Sequence, residues 1–296
     1  MDHIQMNLKQ DWLNIVKSEI EHEGLVIPAG MQLDSKIIKY FTYLRKKAPK
    51  GPLNVIKSKS FNCEAKYLPA IDEIERIFNT GGDYSPYLSK QVDQFRDDLM
   101  FNDWGILHLH LGTELESNGR YIQRTGPLLF VYFNKNNVYF INVFPHAKWT
   151  NREILQTIYD NWPDVLDPFI MKGIKDVRPE YTEEQHFRLR KSGINASIPL
   201  NDKNGNKIVI MAPGMGIAAS GDSVNDVRLY QKISNNFRSI EAQIREGIDS
   251  LKADLKSKNI EIPSEFHFGF LGQNETDGMI IKEKNTGLYI NFKDKD

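Results

Sequence analysis

Cysteine is nearly absent from this chain: Cys63 stands alone among 296 residues. A single thiol supports neither an intramolecular disulfide nor a multi-cysteine zinc site. No base adjoins it in the sequence, which argues for a tolerated thiol rather than a nucleophile. Apolar runs of membrane-spanning length are also missing. The start, Met1-Asp-His-Ile-Gln, lacks the basic-then-apolar order of a secretory signal. The expectation is a cytoplasmic chain with no membrane partner. Internal repeats and low-complexity tracts are absent as well. What remains, 40% apolar and 26% charged residues, suits a globular protein with one large domain or two ordinary ones.

Net charge is scarce too, at −1, but the charge is unevenly placed. Between Lys36 and Lys66 nine basic residues face one acid, Glu64, so this stretch carries +8 and the rest of the chain −9. Tyr40, Phe41, Tyr43 and Phe61 are interleaved with the cations. Cations with aromatics suit a phosphate backbone and unstacked bases, so Arg45, Lys46, Lys47, Lys50, Lys57 and Lys59 are candidate contacts to RNA or another polyanion. A solvated helix face followed by a basic loop explains the same run.

The periodicity divides the chain into a mostly helical region over 1–100, a central antiparallel sheet over 101–175 and a C-terminal α+β region over 176–296. The fold class expected is α+β. Helices are predicted from Leu8 to Gly24, Asp34 to Lys47, Tyr67 to Asn79 and Ser89 to Met100. Thr150-Asn-Arg-Glu153 and Thr182-Glu-Glu-Gln185 read as capping boxes opening two more. Asn195–Leu200 and Lys207–Met211 form a hairpin around Asn204-Gly205. Ser223 caps a long helix reaching Lys256. Its apolar stripe, from Tyr230 through Phe237 and Ile244 to Leu255, docks on the body of the protein or pairs two copies as a homodimer. Two further strands are expected within Glu265–Phe292.

The densest stretch is 103–148. Ile106–Leu111, Pro127–Phe133 and Val138–His146 read as successive strands, and three of the chain's seven histidines lie on them or at their ends. Alternation places His108 and His110 on one face, opposite Leu107, Leu109 and Leu111. With the leucines on the core side, both imidazoles face a cleft or solvent. His146 follows Pro145, where strand pairing breaks up. Arg124 precedes the middle strand and Lys148 follows the last. His108, His110, Arg124, His146 and Lys148 are the candidate catalytic set, since imidazoles beside cations can move protons and stabilise a pentavalent phosphate. Asp103, at the head of the stretch, is a candidate for orienting a histidine.

Strand, loop, strand, tight turn and strand, ending in His146, resembles the RelE/HigB-type mRNA interferase toxins. That family's arginine lies inside the middle strand, whereas Arg124 lies before it. The resemblance implies helices ahead of an antiparallel sheet whose face binds and cleaves RNA, with His108 and His110 toward the RNA. The leading functional expectation is a toxin-like or defence-type endoribonuclease, a hydrolase needing no cofactor.

Two other readings stand beside it. His108-x-His110-x-x-x-Glu114 resembles the first cupin metal motif, and His146 would complete a four-ligand site for one divalent transition metal in a mononuclear metal enzyme. A non-catalytic interaction protein, assembled through the basic stretch and the long helix, is the third. Pro213–Gly221 meets a loose dinucleotide fingerprint at Gly214-x-Gly216-x-x-Ala219. The long helix after it, and the lack of a strand ending in an acid about twenty residues on, favour a tight structural turn, with an anion contact second.

Overall fold

The computed structural model describes residues 3–25, 27–117, 119–146, 150–274 and 278–293. From the N-terminus come β1 (His3–Met6), α1 (Leu8–His22), α2 (Leu33–Lys47), β2 (Asn54–Lys57) and α3 (Leu68–Thr80). Next are α4 (Leu99–Trp104), β3 (Ile106–His110), β4 (Pro127–Asn134) and β5 (Asn137–Pro145). Then follow α5 (Arg152–Asn161), α6 (Pro163–Leu166) and α7 (Glu183–Lys191), with the hairpin β6 (Ile198–Asn201) and β7 (Lys207–Ile210). The last elements are α8 (Val224–Glu246), α9 (Ile248–Ser257), β8 (Glu265–Asn274), β9 (Gly278–Glu283) and β10 (Tyr289–Phe292). Helices and separate sheets make this an α+β protein. No described helix is long and apolar enough to cross a membrane.

The chain forms two compact units, one of Met1–Leu25, Ala29–Ile37 and Arg228–Asp296, the other of Val26–Pro28 and Ile38–Val227. The boundaries expected at 100 and 175 therefore give way to a discontinuous division. Its cause is β1, which pairs in parallel with β8 and brings both ends of the sequence into one unit.

In that first unit the sheet runs β1-β8-β9-β10. Trp12 of α1 packs its ring 5.9 Å from Tyr230 and 5.8 Å from Phe237, and Phe237 meets Phe270 at 5.1 Å. The stripe on the long helix is thus covered inside its own unit at Tyr230 and Phe237. The expected single helix is two, because Gly247 interrupts it. Glycine is about 1 kcal/mol worse than alanine in a helix interior.

The second unit holds the sheet β2-β5-β4-β3. Its last three strands are antiparallel neighbours, with His108 opposite Phe130 and His110 opposite Leu128. β2 joins in parallel on β5, so the sheet is mixed. On one face α3 inserts Phe78 against Phe133 and Phe140, at 5.7 and 6.0 Å. On the other, Ile106, Phe130, Ile141 and Phe144 pack with Ile154, Leu155 and Ile158 of α5 and with Ile198 and Ile210 of the hairpin. Both faces are therefore core. On the histidine face, expected toward a cleft or solvent, α5 and the hairpin cover the neighbouring strands, and the histidines line a cavity beside β3, an outer strand.

The helix expected over Ser89–Met100 is instead a single 3-10 turn, Lys90–Gln94, then Phe95 at positive φ, then α4. Thr182 and Gln185 form the expected capping box at α7. At α5 the cap is Asn151, whose side chain accepts the Glu153 amide, rather than Thr150.

Candidate functional site

Beside β3 lies a cavity of about 340 Å³. His108, His110, Arg124 and His146 line it together with Lys46, Arg96, Asp97 and Asp98. Leu88, Val92, Leu99, Met100, Leu107 and Phe187 supply an apolar wall. The strands bring the three histidines to one space, which strand alternation alone left open, and the segment from Leu88 to Met100 lines it as well.

His108 tilts its ring toward Phe130, with centroids 6.3 Å apart. Its Nδ1 is 3.9 Å from Asp98 Oδ2, and the same oxygen is 3.2 Å from Lys46 Nζ. The other oxygen of Asp98 accepts the Phe101 amide at 3.1 Å and caps α4. Burial on its own would raise the Asp98 carboxyl. The Lys46 and His108 charges and the Phe101 amide outweigh it and hold the group at about 2. Burial lowers His108 from its ordinary value; Asp98 pulls the other way, and Lys46 and His146 add to the lowering.

His110 is only 4% exposed. Burial, and after it the charges of His108, Arg124 and His146, push its imidazole down to about 4, so the ring is neutral at pH 7. The Thr125 amide donates to its Nδ1 at 3.5 Å. Thr125 is itself fixed, its hydroxyl accepting from the Leu111 amide at 3.0 Å and donating to the Pro127 carbonyl at 2.7 Å. A neutral imidazole that accepts at Nδ1 carries its proton on Nε2. His146 is exposed, and its amide donates to the Gly126 carbonyl at 3.0 Å, which fixes the end of β5 against the loop carrying Arg124.

Other expected members of the site lie elsewhere. Lys148 falls outside the described residues. Glu114 does not line the cavity; its carboxylate accepts from the Gln123 side-chain amide at 3.3 Å. Among the described residues no group of three or more His, Cys, Asp or Glu side chains has metal-holding geometry. Glu114 thus lies apart from the cavity that His108, His110 and His146 line. Cys63 lies outside the cavity, and burial raises its thiol. Asp103 orients no cavity histidine: its Oδ2 accepts from Arg190 Nε at 2.7 Å and lies 3.6 Å from Nε2 of buried His186.

Several cations of the basic stretch are paired within the fold. Arg45 forms a two-point contact with Asp226, at 3.2 and 3.0 Å, and stacks 4.3 Å above Phe101. Lys46 is buried against Asp98, Lys47 meets the Tyr43 hydroxyl at 3.0 Å, and Lys57 pairs with Glu75. Of the six residues proposed for nucleic acid, Lys50, Lys57 and Lys59 are exposed. Arg45 and Lys46 thus belong to an ionic network within the second unit, while Lys50, Lys57 and Lys59 stay at the surface. In the Pro213–Gly221 turn, a side chain on Gly214 would place its first carbon 2.7 Å from the Asn102 and Asp103 backbone. That glycine serves close packing against α4, as a structural turn requires.

Asp98, Arg96 and Phe187 are site residues that the sequence reading missed. Asp98 carried one usable signal: an aspartate just before the apolar run Leu99-Met100-Phe101 marks a helix N-cap. Nothing local announced that this cap faces a histidine. Comparisons with protein-family models, curated proteins and solved structures found no match.

Proposed function

We propose that this cavity cleaves RNA through the substrate's own 2′-hydroxyl, without an obligatory metal. The observation that carries the reading is the convergence of three imidazoles and Arg124 on one cavity large enough for a nucleotide. The antiparallel succession of β3, β4 and β5, preceded by helices, is also the arrangement that the mRNA interferase resemblance implies.

The three histidines divide the work. His108 takes the proton from the 2′-hydroxyl; the 2′ oxygen attacks phosphorus, and an O2′–P bond forms as the P–O5′ bond breaks. His146, at the exposed mouth, returns a proton to the departing 5′ oxygen. The products are a 2′,3′-cyclic phosphate and a 5′-hydroxyl, and exchange with water resets both rings. His110 donates Nε2–H to a non-bridging phosphate oxygen rather than acting as the base, and Arg124 neutralises the charge that builds there. Burial, and after it the positive neighbours, depresses His108 and His110 in the cavity without substrate. An entering phosphodiester offsets the positive neighbours and raises the basicity of His108 when it is needed.

The test is incubation of the purified chain with a single-stranded RNA oligonucleotide in EDTA. The expected result is cleavage to cyclic-phosphate ends, lost in a folded His146→Ala variant. No cleavage by the unaltered protein, or undiminished cleavage by that variant, overturns the reading.

A further inference from the structure

We infer that Asp98 is a positioning residue for the His108 imidazole, held in place by Lys46; the inference rests on the RNA-cleavage reading. Three contacts on one carboxylate support it. Oδ1 caps α4 through the Phe101 amide, and Oδ2 stands between Lys46 Nζ at 3.2 Å and His108 Nδ1 at 3.9 Å. The side chains of Lys46, Asp98 and His108 are 5, 13 and 13% exposed.

A cap alone does not account for this. Asparagine and serine cap a helix as well as aspartate does, without bringing a charge into the interior. Burying a carboxylate and an ammonium costs several kcal/mol for each ion, which pairing at best offsets. The distinctive consequence of the charge is felt at His108. A carboxylate beside Nδ1 favours the ring proton there, presents the Nε2 lone pair to the substrate and stabilises the imidazolium once the proton is taken. His110 carries the opposite arrangement, since its Nδ1 accepts the Thr125 amide. Two imidazoles on one short strand are thereby held in opposite tautomers, one as base and one as donor.

Asp98→Asn keeps a good cap and removes the charge. Because it leaves Lys46 buried without its counter-ion, Lys46→Met/Asp98→Asn is made beside it. The loss of Asp98 dominates in the double variant, since Asp98 acts on His108 more strongly than Lys46 does. Two quantities are measured: the pH dependence of kcat/KM on the RNA oligonucleotide in EDTA, and the ring titration of His108 by NMR. In both variants the acidic limb and the His108 titration are expected to move to lower pH. The maximal rate falls about tenfold to hundredfold, with KM little changed. A folded variant with both unmoved overturns the inference and leaves Asp98 as a cap alone. If the unaltered chain cleaves no RNA, the functional reading fails, and the His108 titration still decides whether Asp98 governs that ring.

Discussion

The backbone amide of Thr125 donates to Nδ1 of His110 at 3.5 Å, and this contact decides what the histidine can do. With Nδ1 accepting, the neutral ring offers Nε2–H and is a donor, not a base. His110→Ala is expected to lower kcat about 10²- to 10³-fold, the usual cost of losing one donor to a developing oxyanion. His110→Gln, whose amide nitrogen reaches close to the lost Nε2, recovers part of that. The acidic limb of the pH profile stays where it was. Loss of that limb in His110→Gln would reassign the base to His110.

The same ring makes stability depend on pH. Folded His110 titrates at about 4, against about 6.5 in an unfolded chain. Between those values the unfolded chain holds a proton that the folded one refuses, so stability falls as pH drops from about 6.5 toward 4. The loss attributable to His110 is on the order of 3 kcal/mol across that window. The lowered His108 acts with the same sign. Asp98, held at about 2, loses its contribution only at still lower pH. Urea unfolding at pH 7 and at pH 4.5 measures the drop. It is expected to be smaller in His110→Gln; an equal drop in the two proteins would place the pH dependence elsewhere.

What was legible in the sequence was local. The three strands 106–145, α3 and the Thr182 capping box follow from alternation, helical spacing and a cap, all written in neighbouring residues. β1 and β2 were not legible. Each has four residues, and each is a strand only because a distant partner, β8 or β5, offers an edge. The histidine cluster was found because its residues sit on consecutive strands. The wall opposite was not, because Lys46 and Asp98 meet through tertiary packing alone. The pairing within the charge run was hidden for the same reason: composition counted the lysines and arginines of 36–66 but could not see the carboxylates facing Lys39, Arg45 and Lys46.

That network separates the basic residues by consequence. Arg45→Met leaves the buried Asp226 carboxylate with the Thr42 hydroxyl at 2.6 Å and no guanidinium. The expected cost is about 3 kcal/mol of stability. Lys50→Ala and Lys59→Ala, at exposed positions, leave Tm unchanged. RNA affinity is expected to follow Arg124 more than either lysine. The salt dependence of binding reads this directly, since each lost phosphate contact lowers the slope by roughly one. A lowered slope in the two lysine variants, with Arg124→Ala unaffected, would restore the basic stretch as the RNA surface.

α4 has an aspartate at each end, and the two are predicted to behave differently. Asp98, the cap, faces the cavity; Asp103, in the last turn, is buried with Arg190, whose guanidinium lies 4.4 Å above Trp104. Asp103→Asn strips a buried guanidinium of its carboxylate and is expected to cost about 3–5 kcal/mol, seen as a lower urea midpoint. Asp103→Leu/Arg190→Met removes both charges and should regain much of the loss. Neither change alters the pH profile of cleavage at a temperature where the variant is folded, because Asp103 lines no part of the cavity. Asp98→Asn is expected to do the reverse, moving the profile while keeping the helix capped. Should Asp103→Asn move the pH profile as Asp98→Asn does, the profile would be reporting the general integrity of α4, and the assignment of Asp98 to His108 would fail with it.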